Sequence, residues 1–333
     1  MSLPRIAITT GDPAGIGPEI ALKAALDKRV SALCRPLLVG DPAVVEMHAK
    51  AAGLCPHLKL IANVVDADWD NGVLNLLDGR EGTNVPVEFG KVDAAYGRAS
   101  LAAARRAIKA ALAGEVEAVV AAPQTERSIA AAGIAFDGYP SFVAKETGTP
   151  VADVFLMICF DDKRVVHATL HVSVREALAL ITKERVEHVI RVTDASLKKI
   201  GIAKPKIFVS GVNPHAGEDG LFGRDEIEII EPAIHAAKAA GIDVSGPFGA
   251  DTMFHKKNSD AFIVMLHDQG HIAAKLLAFN RTAGLSIGSP ILFSSVAHGS
   301  AHDIAGKGKA DSGAMIEAIT RLAKVKAPDK QPA

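Results

Sequence analysis

Three histidines stand where strand-like runs end: His171 after residues 165–170, His215 after 208–213 and His267 after 262–266. They are too far apart for one element to gather, so only the fold can bring them together. Three imidazoles suit a borderline divalent cation and leave positions open for a substrate. A chain with 12 histidines also puts some at strand ends by chance, so the spacing alone leaves a metal site and ordinary surface histidines both open. The stretch Met265-Leu266-His267-Asp268-Gln269-Gly270-His271 delivers imidazole, carboxylate and amide to a strand exit, where open α/β sheets bind ligands. Asp268 and Asp251 are candidates to orient the metal histidines or to take a proton. The polar turn 213–220 exposes His215 on a loop. Lys275 suits a carboxylate, a phosphate or proton transfer, and equally a snorkelling surface lysine. His167 reads as structural and His271 as solvated.

Two glycine-rich stretches suggest a cofactor. Gly11-Asp12-Pro13-Ala14-Gly15-Ile16-Gly17-Pro18-Glu19 turns into a helix, where glycines permit close backbone approach and amides suit an anion. Its spacing is G-x-x-x-G-x-G and not the dinucleotide fingerprint, so a purely structural turn stays open. In the run 298–308, small residues around His298, Gly299, Asp303 and Gly306 let a flat ligand approach, and Asp303 can accept from a ribose hydroxyl. That run also reads as a plain loop.

The elements that must position these groups alternate. Strands are expected over 5–10, 35–39, 58–65 and 118–122, with helices over 18–26, 41–52, 92–113 and 127–132. A second series has a helix over 141–147, strands over 154–160 and 164–171 joined as an antiparallel hairpin, and helices over 173–181 and 183–200. A strand over 206–212, a helix over 226–240, a strand over 261–266 and a helix over 312–324 complete it. Residues 66–84 read as a hairpin or irregular insertion and 327–333 as a frayed tail. Such alternation predicts an α/β fold with a largely parallel sheet and helices on both faces. At 333 residues two domains are expected. A net charge of −1 offers no field for nucleic acid or a membrane surface, and 5% aromatics argue against base stacking, which favours small-molecule chemistry. Cys34, Cys55 and Cys159 form no C-x-x-C pair and read as reduced thiols. No export signal and no apolar run of about 18 residues stands out, so a cytoplasmic protein is expected.

Taken together, GDPAGIGPE (11–19), NPHAGEDGLFG (213–223), GADTMF (249–254), MLHDQG (265–270) and HGSAHDIAGKGKAD (298–311) resemble the 4-hydroxythreonine-4-phosphate dehydrogenase family, in that family's order across essentially the whole chain. The last also resembles the nucleotide-binding loop of isocitrate and isopropylmalate dehydrogenases. The resemblance implies two α/β/α domains with largely parallel sheets, like those of these two dehydrogenases. A nucleotide-associated domain would comprise 1–130 plus 281–333, and a metal, substrate and dimerisation domain 131–280. It further implies a homodimer whose active sites are completed by the partner subunit. The implied chemistry is NAD-linked oxidation of a secondary alcohol with loss of the adjacent carboxylate as CO₂, and one divalent metal per site (Zn, Mn, Co or Mg). The family's metal histidines fall on His171, His215 and His267, and its substrate lysine on Lys275.

The departures bear on substrate. Phosphate-substrate members have His-Thr where this chain has Tyr139-Pro140, asparagine at Gly284, arginine at Phe293, and lysine at Glu126. Each lost charge-assisted hydrogen bond to a phosphate is worth about 1.5–3 kcal/mol. GYPS (138–141), Glu126, VFLM (154–157), HDQGHI (267–272) and the run 286–308 are most similar to terephthalate 1,2-cis-dihydrodiol dehydrogenases. That similarity implies a ring substrate against Tyr139, Pro140, Gly284 and Phe293, with Lys275 meeting its carboxylate. Lys275, Asp251 and Asp268 stay open as the general base. The alternatives are 4-hydroxythreonine-4-phosphate, a phosphorylated sugar acid, a metal hydrolase and a metabolite sensor.

Overall fold

Short apolar runs alternate with capped helices throughout the computed structural model, which describes residues 3–69, 72–81, 86–278 and 282–325. The strands are β1 (Arg5–Thr9), β2 (Arg35–Gly40), β3 (Leu58–Ile61), β4 (Leu74–Asp78), β5 (Ala118–Ala121) and β6 (Phe155–Phe160). They continue as β7 (Lys163–His167), β8 (Lys206–Ser210), β9 (Asp243–Phe248), β10 (Ala261–Val264), β11 (Ala283–Ile287) and β12 (Phe293–Val296). The helices are α1 (Gly17–Ala25), α2 (Lys28–Ser31), α3 (Pro42–Ala51), α4 (Ala94–Leu112), α5 (Glu126–Ala131) and α6 (Tyr139–Thr147). After them come α7 (Val174–Leu180), α8 (Lys183–Lys199), α9 (Glu231–Ala239), α10 (His267–Ala278) and α11 (Gly313–Ala323). Polar caps start several helices: Asp41, Asp93, Ser173 and Thr182 each accept an N–H of the first turn of α3, α4, α7 and α8.

The chain divides into two compact units, one running to Thr149 and resuming at Pro290, the other Pro150–Ser289. In the first, the strand order is β3-β4-β2-β1-β5-β12, with every neighbouring pair parallel. Alternate residues Ala7, Leu37, Val119, Ala121 and Phe293 face a core completed by Leu101 and Ile108 of α4 and by Tyr139, Phe142 and Val143 of α6. The opposite face is left to α1 and α11. In the second unit the order is β11-β6-β7-β10-β8-β9. The pairs β11–β6 and β6–β7 are antiparallel, and the remaining pairs are parallel. Phe160, Val165, Phe208, Phe262 and Val264 pack there against Ala274 and Ala278 of α10.

The α/β class, the largely parallel sheets and the hairpin after Phe160 follow the sequence. Several details do not. The cuts fall at 149/150 and 289/290, later than the expected 130/131 and 280/281, because α6 buries Tyr139, Phe142 and Val143 in the first core and β11 pairs with β6 in the second. The stretch 66–84 is no hairpin: β4 lies parallel between β3 and β2 with Leu74, Asn75, Leu76 and Leu77 buried. Residues 70–71 and 82–84 of that stretch and the tail 327–333 lie outside the described residues. β9, β11 and β12 were not expected. β7 stops at His167 and does not reach His171: Ala168 and Thr169 still donate to the Val264 and Met265 carbonyls, and the chain then bends away through residues 170–171. No helix among the described residues is long and apolar enough to cross a membrane.

Phe160 is 1% exposed in the centre of the second core, so Phe160→Ala should lower unfolding free energy by about 3–5 kcal/mol in urea denaturation. A loss below about 1 kcal/mol would place the core elsewhere.

Candidate functional site

In the second unit, β7, β10 and β8 are parallel neighbours, so their carboxyl ends share one edge. His171 follows β7, His267 opens α10 directly after β10, and His215 lies on the loop after β8. The start of α10 is fixed by Gln269. Its Oε1 accepts the N–H groups of Met265 and Leu266 at 2.9 and 3.0 Å, the reach-back of a capping box, and its Nε2 donates to the Gly211 carbonyl at 3.1 Å. One amide thus ties the exit of β10 to the exit of β8. Gly270 is needed for the approach of α10 to β7, because a Cβ there would meet His167 Nε2 at 2.4 Å.

Helical periodicity then puts His267, His271 and Lys275 on one face of α10. The rings of His267 and His271 stack at 3.8 Å with an interplanar angle of 8°, and His171 lies 5.7 Å from His267 between ring centroids. His267 Nδ1 is 2.7 Å from Asp268 Oδ1, which holds the ring and leaves Nε2 as the lone-pair-bearing nitrogen. Asp268 is therefore committed to orienting His267. His271 is not solvated as expected: its Nδ1 lies 3.1 Å from Nε2 of His167, a residue 2% exposed. Burial, followed by the neighbouring imidazoles, pushes His167 down to about 3 and His271 down to about 4. Burial also holds Lys275 below the ordinary lysine range. The structural reading of His167 fits its Leu156 carbonyl contact, but sequence spacing missed its partnership with His271, which needs the pairing of His167 with Val264.

His215 stands apart from this group. It begins a run of left-handed residues, His215 to Asp219, with its Nδ1 3.3 Å from Glu218 Oε2. Buried Glu226 holds the root of that loop, accepting from the backbone N–H of Val212 and Asn213 and from Asn213 Nδ2 at 2.8–2.9 Å. His215 and exposed Asp251 line a recess of about 360 Å³ with Asn213 and Gln269. Among the described residues of one chain, no three His, Cys, Asp or Glu side chains are disposed to hold a metal ion. The structure thus pairs His171 with His267 and keeps His215 with Asp251.

The remaining expected site residues fall differently. Tyr139 and Phe293 are buried in the first core, with ring centroids 5.0 Å apart. Tyr139 donates to the Ala122 carbonyl at 2.9 Å and accepts from Gln124 Nε2 at 2.7 Å. Neither offers an open ring face to a ligand, because each is filled by the other and by the core. Pro140 occupies the first turn of α6, and Gly284 is buried in β11 opposite Ile158. The glycines of the 11–17 turn serve the protein rather than a ligand: a Cβ at Gly11 would meet the Pro123 carbonyl at 2.4 Å, and one at Gly15 would meet Ser300 at 2.6 Å. Asp12 is 1% exposed and spent on Ala14 N–H and His302. Gly306 backs onto the Phe89 ring. On the 298–308 loop, Gly299 has nothing within 4 Å of a Cβ position, His298 is half-buried and Asp303 is exposed, so this surface fits an approaching nucleotide.

The family described as pyridoxal phosphate biosynthetic protein PdxA matches residues 32–322. A protein of Symbiobacterium thermophilum, provisionally named D-threonate 4-phosphate dehydrogenase, is 41% identical over 95% of both chains. The 1,2-dihydroxy-3,5-cyclohexadiene-1,4-dicarboxylate dehydrogenase of a Comamonas species is 40% identical over 96% of both. The crystal structure of a 4-hydroxythreonine-4-phosphate dehydrogenase from Klebsiella pneumoniae superposes with a TM-score of 0.85 at 35% identity, covering 97% of this chain and all of that one. Overall identity therefore does not choose among these substrates.

The buried histidines set a pH limit on stability. Unfolded, His167 and His271 titrate near the ordinary 6.5, and folded they titrate at about 3 and about 4. Between these values the unfolded chain binds more protons, so stability is present above pH 6.5 and is lost as pH falls towards 4. Urea midpoints should drop from pH 7 to pH 4.5, and drop less in His271→Gln; an equal drop in both would remove these histidines as the cause.

Proposed function

The chain belongs to the family of the pyridoxal phosphate biosynthetic protein PdxA, and on that premise we propose that it is a dehydrogenase of an aromatic-acid cis-dihydrodiol. The reaction oxidises the diol with NAD, loses CO₂ and restores an aromatic catechol. The observation that carries the substrate class is the Tyr139–Phe293 pair. At both positions the resemblance puts phosphate ligands in phosphate-substrate members, and here two neutral rings fill the space and bury each other. A phosphate dianion at that place would lose its cationic partners to an apolar core. Glu126, exposed at the start of α5, puts a carboxylate where those members have a lysine.

A nicotinamide, when bound, would supply a hydride acceptor, and a divalent cation (Zn, Mn, Co or Mg) would supply Lewis acidity at the substrate oxygens. His171 and His267 of one subunit fit that cation, and His215 of the partner subunit completes the set in a homodimer. Asp268 keeps His267 Nε2 turned outward. Lys275, two turns along the same helix face and held by burial below the ordinary lysine range, takes the hydroxyl proton at Nζ as the carbinol becomes a ketone. The resulting β-keto acid breaks its carbon–carboxylate bond, CO₂ leaves, and the electron pair moves onto the former carbonyl oxygen. Lys275 returns its proton to that oxygen, which gives the catechol. Asp251, beside His215, serves the cation's surroundings rather than the proton. Three free cysteines fit a reducing cytoplasm.

A second reading rests on the relative provisionally named for D-threonate 4-phosphate, which would place a phosphorylated acid in the same site. The deciding experiment follows NADH formation with 1,2-dihydroxy-3,5-cyclohexadiene-1,4-dicarboxylate, 4-phosphooxy-threonine and D-threonate 4-phosphate, each with Mn²⁺, Zn²⁺ or a chelator. The expected result is turnover of the diol alone, abolished by the chelator. Turnover of either phosphate ester at a comparable rate would overturn the substrate assignment, and undiminished turnover in chelator would overturn the metal.

A further inference from the structure

Two carboxylates of the GDPAGIGPE stretch are buried, although the stretch reads as a ligand-binding turn. Asp12 and Glu19 are each 1% exposed. Burying a carboxylate is costly unless it is paired, so the partners show what each one does. Asp12 Oδ2 lies 3.0 Å from His302 Nε2, in the middle of the 298–308 loop, while its Oδ1 accepts Ala14 N–H at 2.9 Å. Thr125 Oγ1 joins the same point, 3.1 Å from His302 Nε2, and donates to Ser300 Oγ at 2.8 Å. Glu19 Oε1 accepts the backbone N–H of Ala310 at 2.9 Å and binds Lys23 Nζ at 2.7 Å. Lys23 Nζ also donates to the carbonyls of Gly308 and Ala310 at 3.0 and 2.8 Å. The loop is therefore held at His302 and again at residues 308–310, from one short segment. Between the two points Gly306 rests on Phe89.

We propose that Asp12 and Glu19 are positioning residues that clamp the 298–310 loop at two points, acting through His302 and Lys23, in the shape that receives the nucleotide. The inference deepens the reading that this loop takes NAD and rests on it. Neither carboxylate touches the cofactor; each removes conformational freedom that binding would otherwise have to remove. His298, Gly299 and Asp303, which lie outside the fastening points, stay available to the ligand.

The test compares wild type with Asp12→Asn, His302→Gln, Glu19→Gln, Lys23→Met and the double variant Asp12→Asn/His302→Gln. Three quantities are read: the Kd of NAD⁺ by calorimetry, the separate KM values for NAD⁺ and diol with kcat, and amide hydrogen exchange of residues 298–310. Loss of one charge-assisted bond should raise the NAD⁺ Kd and KM about tenfold while kcat and the diol KM stay within about twofold. Exchange of the loop amides should quicken, and the double variant should be little worse than either single one. A role in overall folding alone would instead lower kcat with both KM values unchanged. His302→Gln leaves both buried carboxylates in place, keeps an amide donor beside Asp12, and keeps the test open if the acid variants fold poorly. Unchanged NAD⁺ affinity and unchanged loop exchange in folded variants would overturn the clamp. Absence of NAD⁺ binding by wild type would overturn the proposed function, and loop exchange would then still decide the clamp.

Discussion

The histidine-bearing sheet edge of the second unit depends on one side-chain amide. Gln269 satisfies two backbone donors at the start of α10 and, through Nε2, fastens them to the carbonyl of Gly211 at the end of β8. Helix starts and strand exits both carry unpaired backbone groups, and one amide serves both. Its geometry sets where His267 leaves the backbone, and the helical period then fixes His271 and Lys275. Gly270 lets this helix lie against His167. The cost of burying two neutral histidines is met by the contact between them and by the stack on His267.

The first unit solves the same problem with charge. Asp12, in the turn after β1, and Glu19, in the first turn of α1, reach to a loop after β12, so the exits of two strands of one sheet are tied together. Both devices use polar side chains that tie one element to a loop beside it. Such networks cost little when fully satisfied and much when one member is lost.

Much of this was legible beforehand. Apolar alternation gave most strands, the expected placement of His171, His215 and His267 after strands holds, and the Asp161-Asp162-Lys163 hairpin was plain. Three strands escaped for physical reasons: β9 contains Gly246 and Pro247, and β11 and β12 are rich in small or polar residues that hydrophobic patterning does not mark. The meeting of His167 with His271 requires sheet register, which spacing does not carry. The aromatic wall expected of Tyr139 and Phe293 turned into core because each ring faces the other, a fact of packing and not of residue type. Glycines read as room for a ligand proved to be room for Pro123, Ser300 and Phe89.

We propose that a working site joins Lys275, His171 and His267 of one copy to His215 of another. It is tested most directly by mixing two inactive proteins, His215→Ala and Lys275→Met, under conditions that let subunits exchange. In a mixed dimer one site then carries both lesions and the other carries none. Equal mixing should restore diol turnover to about one quarter of the wild-type rate per subunit pair, since half the dimers are mixed and each has one intact site. If every site were built within one chain, each would keep its own lesion, and the mixture would stay as inactive as its components.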